Sequence, residues 1–380
     1  MDAPAHASVM TGRWMPELGV DWVTPLPARD TTLAEALAAR GYRTGAMVAN
    51  ISYTGPWTGL DRGFARYEGA TVSLMQVVRS TAVGSWLTEL PLLERHLPPA
   101  MSDYRRKTAR EVNEALLAWL DHSGSRPFFA FLNYQDAHEP YLPQAPFDTA
   151  FATLPYPPPP APRHPTAHLS ARPRDMRPYD QAIAYIDHEV GRLLDALAER
   201  GLLDNTLVNI TSDHGEEFGE HGVWGHGHTL YRNALQVPLI LQLAGRVPAG
   251  VVVEHAVSLR DLPATVLALV APGTRSPFPG APLTRHLGPD VPSGSDSLLV
   301  ATNWAPRRPP WDPTSRGDLQ AVYTDSAALI RDVARQAELY VFPADSAEQH
   351  DLATDPAWAA TVAALHAQLD RRLPPPARAH

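Results

Sequence analysis

Residues Asn205 to Tyr231, NTLVNITSDHGEEFGEHGVWGHGHTLY, decide how the rest of the chain is read. An apolar run with helix-breaking flanks, Thr206 to Ile210, ends at Thr211-Ser212. Asp213, His214, Glu216, Glu217, Glu220, His221, His226 and His228 then follow within a short span. The pattern predicts a strand running into a polar loop dense in metal-binding and proton-transfer groups. Such groups are costly to leave unpaired near a sheet edge, because each charged form loses hydration there. A metal ion offsets that cost. Asp213-His214 supplies one hard oxygen and one imidazole nitrogen at a strand end, where open α/β sheets place ligands. Glycines at 215, 219, 222, 225 and 227 allow tight backbone turns around a ligand. The plainer alternative is a solvated acidic turn after a buried strand.

Composition narrows the classes. With 380 residues, 44% hydrophobic and 19% charged, the chain can bury a substantial core as one large domain or two. A formal net charge of −9 argues against a nucleic-acid partner and confines any anion site to a local group of cations. There is no cysteine, so disulfides and thiolate metal sites are excluded. No apolar run reaches the roughly 18 residues that a membrane span needs. The opening MDAPAHASVMTGR does not read as a signal peptide, since it lacks a basic region followed by an apolar core.

Outward from the central stretch, helix and strand signals alternate. Thr31-Thr32 caps LAEALAAR, Gly41 stops it, and the strand RTGAMVAN follows, one repeat of a doubly wound sheet. Tyr104 to His122 carries Val112, Ala115, Leu116, Trp119 and Leu120 at helical spacing, and PFFAFLNYQ is then a buried strand ending at Asp136-Ala137-His138-Glu139-Pro140. Leu154 to Pro178 is too rich in proline for a regular element, and is expected to wrap a pocket mouth with Arg163, His164, His168, Arg172 and Arg174. A long helix is expected over Tyr179 to Arg200, with Ile183, Ile186, Val190, Leu193, Leu194 and Leu197 on its apolar face and Gly201 as its cap. VPLILQL is expected as a buried strand and SLRDLPATVLALV as a helix. Residues 273–316 read as a linker. AVYTD, AALIRDV and ELYVFP read as a small antiparallel sheet, and DPAWAATVAALHAQLDRRL as a closing helix.

SDHGEEFGEHGVWGHGHTLY followed by VPLIL resembles the signature of the sulfatases of the alkaline phosphatase superfamily. PAHASVMTG, FLNYQDAHEPYLP and YDQAIAYIDHEVGRLLDALAERGLLDNT match in order and spacing. The resemblance covers nearly the whole chain, most weakly over 273–316. It implies an α/β fold with a mixed, mostly parallel sheet flanked by helices. The expected division is a catalytic domain over 1–272, the linker over 273–316, and a subdomain over 317–380 with an antiparallel sheet and a helix.

The resemblance also implies hydrolysis of a small anionic ester, a sulfate or phosphate ester, with a divalent metal held by Asp213 and His214. His138 would act on the leaving group and His226 would contact the transferring group, where many sulfatases carry lysine. His6 would lie beside the anion, at the start of a helix expected from Ala7 to Met10. Asp2 falls at the nucleophile position, normally formylglycine, serine or threonine, and a carboxylate cannot serve as an aldehyde hydrate. Family members carry a metal-binding first strand ahead of this point, so the catalytic domain is expected to be incomplete at its N-terminus. Imidazole at 214 leans the metal toward manganese or zinc, with calcium and magnesium the other expectations. Alternatives are a phosphoesterase or phosphonate-hydrolase relative, or a catalytically dead fold that binds an anionic ligand or partner. Substrate, oligomeric state and compartment are not legible.

Overall fold

A computed structural model describes residues 2–20, 24–49, 54–69, 106–122, 124–156, 175–288, 298–302 and 312–373. The side chains of Asp2, of residues 298–302 and of Arg316 lie outside that description. The helices are α1 (Asp2–Thr11), α2 (Met15–Leu18), α3 (Leu33–Ala38), α4 (Ala109–Asp121), α5 (Arg177–Glu199), α6 (Arg232–Leu235), α7 (Leu262–Val270) and α8 (Ala359–Arg372). The strands are β1 (Arg43–Val48), β2 (Arg66–Glu68), β3 (Phe128–Asn133), β4 (Val208–Thr211), β5 (Glu217–Phe218), β6 (Trp224–Gly225), β7 (Leu239–Gln242), β8 (Leu298–Thr302), β9 (Leu319–Tyr323), β10 (Ala327–Arg331) and β11 (Ala337–Val341). Among the described residues, no helix is long and apolar enough to cross a membrane.

The chain divides into two compact units. One is Thr32–Tyr156 with Asp175–Gly201. Its parallel sheet, in the order β2-β1-β3, pairs Arg43 with Phe128 through to Val48 with Asn133. Two helices start on the same device. Thr32 and Thr108 each accept a hydrogen bond from the backbone N–H three residues on, and Glu35 and Glu111 reach back to the cap N–H. Two orphan amides are thereby satisfied at each start.

The buried face of α5 keeps Leu193 and Leu197 of the expected set, with Ile186, Val190 and Leu194 half-buried, and leaves Ile183 out. Ala182, Tyr185, Glu189, Leu193 and Leu197 face inward, while Ile183 is 42% exposed. Glu189 is fully buried against the guanidinium groups of Arg110 and Arg192, and its carbonyl accepts from Asn113 of α4. Those pairings offset the desolvation of a carboxylate on the inward face.

The other unit runs to Thr31 and resumes at Leu202. Its antiparallel sheet, β11-β10-β9-β8, recruits β8 from within the stretch read as a linker. Period-two alternation gives it two apolar faces. Val322, Leu329 and Leu339 pack on Leu365 and Leu369 of α8, whereas Leu319, Ala321, Ile330 and Tyr340 pack on Leu230 and Tyr231. The second face therefore backs the end of the histidine-rich loop. β4 pairs with β7 antiparallel, Ile210 opposite Ile240. The expectation that β7 is buried is corrected: its residues alternate between half-buried and exposed, and Ile240 is 54% exposed.

Candidate functional site

The loop after β4 doubles back on itself as a small hairpin. β5 and β6 pair antiparallel with Glu217 opposite Gly225 and Phe218 opposite Trp224. One residue further out, that register sets Glu216 across from His226, and their side chains meet with Nδ1 3.1 Å from Oε1. Gly215 begins this turn because nothing larger fits: a Cβ there would lie 2.0 Å from the Asn233 carbonyl oxygen. The Gly215 amide itself donates to the Ala234 carbonyl.

Four of the residues singled out in the sequence come together here. His6 Nδ1 lies 3.4 Å from Asp213 Oδ2, and His214 Nε2 lies 3.7 Å from the same oxygen. The His214 and His226 rings stack with centroids 4.1 Å apart. His214 Nδ1 is 2.7 Å from the Gly215 carbonyl, which only accepts, so Nδ1 carries a proton.

His6 reaches this point from α1, which differs from its expected span. The helix begins at Asp2, not at Ala7, and Pro4 sits in its first turn, where a missing N–H costs nothing. Arg260 secures the far end of α1 by donating to the Gly12 carbonyl while stacking over Trp14.

Asp2 lies one helical turn before His6, and its side chain is outside the described residues. His138 belongs to the unit built on the parallel sheet, just past β3. Its turn is clamped by Arg106, whose guanidinium donates to the carbonyls of Gln135, His138 and Pro140. Arg163, His164, His168, Arg172 and Arg174 fall outside the described residues.

Several residues to which sequence reading gave no role complete the loop. His228 Nδ1 is 2.8 Å from Asp312, a fully buried carboxylate that also accepts from Thr314. Its carboxyl is held below the usual range by the His228 and Thr314 hydrogen bonds, against the opposing effect of burial. Glu217 is fully buried and accepts from the Thr229 hydroxyl. Loss of water and the neighbouring carboxylates Glu220, Glu216 and Glu348 push its carboxyl up to about 8. Glu348 fastens the loop to the antiparallel sheet by accepting from the Arg232 amide and the Tyr323 hydroxyl. The only signal for these contacts in the sequence was the density of carboxylates and imidazoles itself.

Asp213 and His214 also line one end of a cleft of about 1660 Å³ within this unit, together with Ser8, Trp14, Arg232 and Arg260. The resemblance of the sequence to the sulfatases implies a divalent cation. A carboxylate and an imidazole, Asp213 and His214, fit one in kind. They fall short in number, since no group of three or more His, Cys, Asp or Glu placed to hold an ion occurs among the described residues.

The family model described as Sulfatase matches residues 3–272. The multifunctional alkaline phosphatase superfamily protein PehA of Trinickia caryophylli is 27% identical over 352 residues, covering 76% of this chain and 67% of that protein. The arylsulfatase of Clostridium perfringens is 36% identical over 92 residues, covering 23% of this chain and only 19% of its own length. Among solved structures, the phosphonate monoester hydrolase of Silicibacter pomeroyi superposes with a TM-score of 0.75 at 21% identity, covering 98% of this chain and 85% of that one. At that identity the likeness is one of fold.

Proposed function

The chain belongs to the sulfatase family, and we propose that the loop following β4 serves metal-dependent hydrolysis of sulfate esters. The observation that supports this most is the contact of His6, His214 and Asp213, with His226 stacked on His214, at the end of β4. In this reading Asp213 and His214 hold a divalent cation, manganese or zinc ahead of calcium or magnesium because of the imidazole. The cation, when bound, neutralises charge on the ester anion. His6 lies beside that anion, His226 contacts the transferring group, and His138 serves the leaving group as acid. Asp2 stands at the nucleophile position with a carboxylate, so the chain as written is expected to turn over slowly or not at all.

A second reading, hydrolysis of phosphate or phosphonate esters, is favoured by the imidazole of His214 in the ligand pair. Purified protein would be dialysed against each divalent cation and assayed on 4-nitrophenyl sulfate and bis(4-nitrophenyl) phosphate. Stoichiometric cation binding that is lost in Asp213→Ala supports the site, and the preferred ester separates the two readings. No cation bound by the wild type, or equal binding by the variant, overturns both.

A further inference from the structure

We propose that Glu216 is a positioning residue for His226: it fixes the imidazole through Nδ1 and leaves Nε2 as the nitrogen that meets the transferring group. The inference rests on the reading of His226 given above and adds the residue that makes that ring usable. Its foundation is backbone register. The pairing of Glu217 with Gly225 puts Glu216 and His226 on facing positions, and their side chains meet at 3.1 Å. Glu216 is 9% exposed and His226 is half-buried, so the contact is shielded from the water that makes surface pairs weak.

The geometry selects one nitrogen. A carboxylate accepts hydrogen bonds and does not donate them, so the proton between the two groups resides on Nδ1 of His226. In the reading of His226 given above, chemistry at this ring then falls to Nε2. Stacking on His214 fixes the plane of the ring, and Glu216 fixes its rotation within that plane. A lysine, by contrast, has a freely rotating ammonium group and needs no such partner. A histidine at position 226 acts through one of two inequivalent nitrogens and does need one.

The test uses the full chain with Glu216→Ala, Glu216→Gln, His226→Ala and the double variant Glu216→Ala/His226→Ala. Long-range proton–nitrogen correlation spectra of the histidine rings, with the His226 signal identified by its loss in His226→Ala, report the tautomer without substrate. The wild type is expected to carry the proton on Nδ1. Glu216→Ala is expected to give mixed tautomers, and Glu216→Gln, whose amide oxygen still accepts, to retain mainly Nδ1–H.

In turnover of 4-nitrophenyl sulfate, Glu216→Ala is expected to lower kcat by about 10- to 100-fold, the range for removing the partner that orients an active histidine. KM should change little, Glu216→Gln should recover part of the loss, and the alanine change should cost nothing further once His226 is alanine. An unchanged His226 tautomer in Glu216→Ala overturns the inference, as does an equal loss in the presence and absence of His226. Where the carboxylate at Asp2 leaves wild-type turnover too slow to compare, the tautomer spectra alone decide the role of Glu216.

Discussion

Glu217 gives the sharpest quantitative test of how the histidine-rich loop is built. Its carboxyl is fully buried, and its ordinary value of 4.5 is raised to about 8, first by loss of water and then by the nearby carboxylates of Glu220, Glu216 and Glu348. A carboxyl whose proton affinity is higher in the folded than in the unfolded state makes stability fall as pH rises. The contribution is fully present below about pH 4.5, declines from there to about pH 8, and is flat above. At about 1.4 kcal/mol for each tenfold change in proton affinity, the whole decline is about 5 kcal/mol. That is an upper figure, because water entering the loop and relaxation around it return part of the cost. Glu217→Gln keeps the shape and an oxygen for the Thr229 hydroxyl, and it has nothing to titrate. The variant is therefore expected to match the wild type near pH 5 and to exceed it by several kcal/mol at pH 9. Urea unfolding followed by the fluorescence of buried Trp224, on β6 opposite Phe218, reads the difference directly. Titrating groups away from Glu217 cancel between the two proteins. Parallel stability curves from pH 5 to pH 9 would refute the assignment of a protonated carboxyl at this position.

Three further outcomes follow from particular contacts. Arg106→Lys removes the planar fork that holds three carbonyls around His138, and hydrogen exchange of the amides of residues 135–139 and 141 should become about tenfold faster or more, a loss of about 1–2 kcal/mol. Gly215→Ala drives a methyl group into the Asn233 carbonyl; it should cost about 3 kcal/mol in urea unfolding and weaken cation binding through Asp213 and His214. Asp370→Asn takes the charge from the carboxylate shared by Arg335 and the fully buried Arg331, which keeps its bonds to Gln320. About 2 kcal/mol should be lost at neutral pH, since half of the pair is solvated. The arginine bonds hold the Asp370 carboxyl far below the carboxylate range, so the wild-type advantage should persist above about pH 4 and fade only in strong acid.

The elements most legible in the sequence were those whose signals are local. Thr32 with Glu35 and Thr108 with Glu111 announce their helices because a capping box is complete within four residues. The strands around Met47 and Phe131 were readable as apolar runs between turn residues, and Asp213-His214 as a carboxylate and an imidazole at a strand end. Side-chain direction was less legible. The apolar residues of α5 allow a face that includes Ile183, whereas the buried face carries Glu189, paired with Arg110 from a helix some 80 residues away in sequence. The same limit applies to the histidine loop. Glu216, Glu217, His226 and His228 are all visible in the sequence, but which carboxylate meets which imidazole depends on closing a turn from Gly219 to Val223, and a turn of that length permits more than one register. A slip of one residue would bring Glu217 in place of Glu216 across from His226. Burial settles the choice: Glu217 is enclosed with Thr229 beneath the loop, and its neighbour in the chain is thereby directed to the opposite face of the strand, toward the imidazole. The identity of the histidine's partner is thus a consequence of which carboxyl the fold can afford to keep protonated, a tertiary property that no spacing rule within the loop expresses.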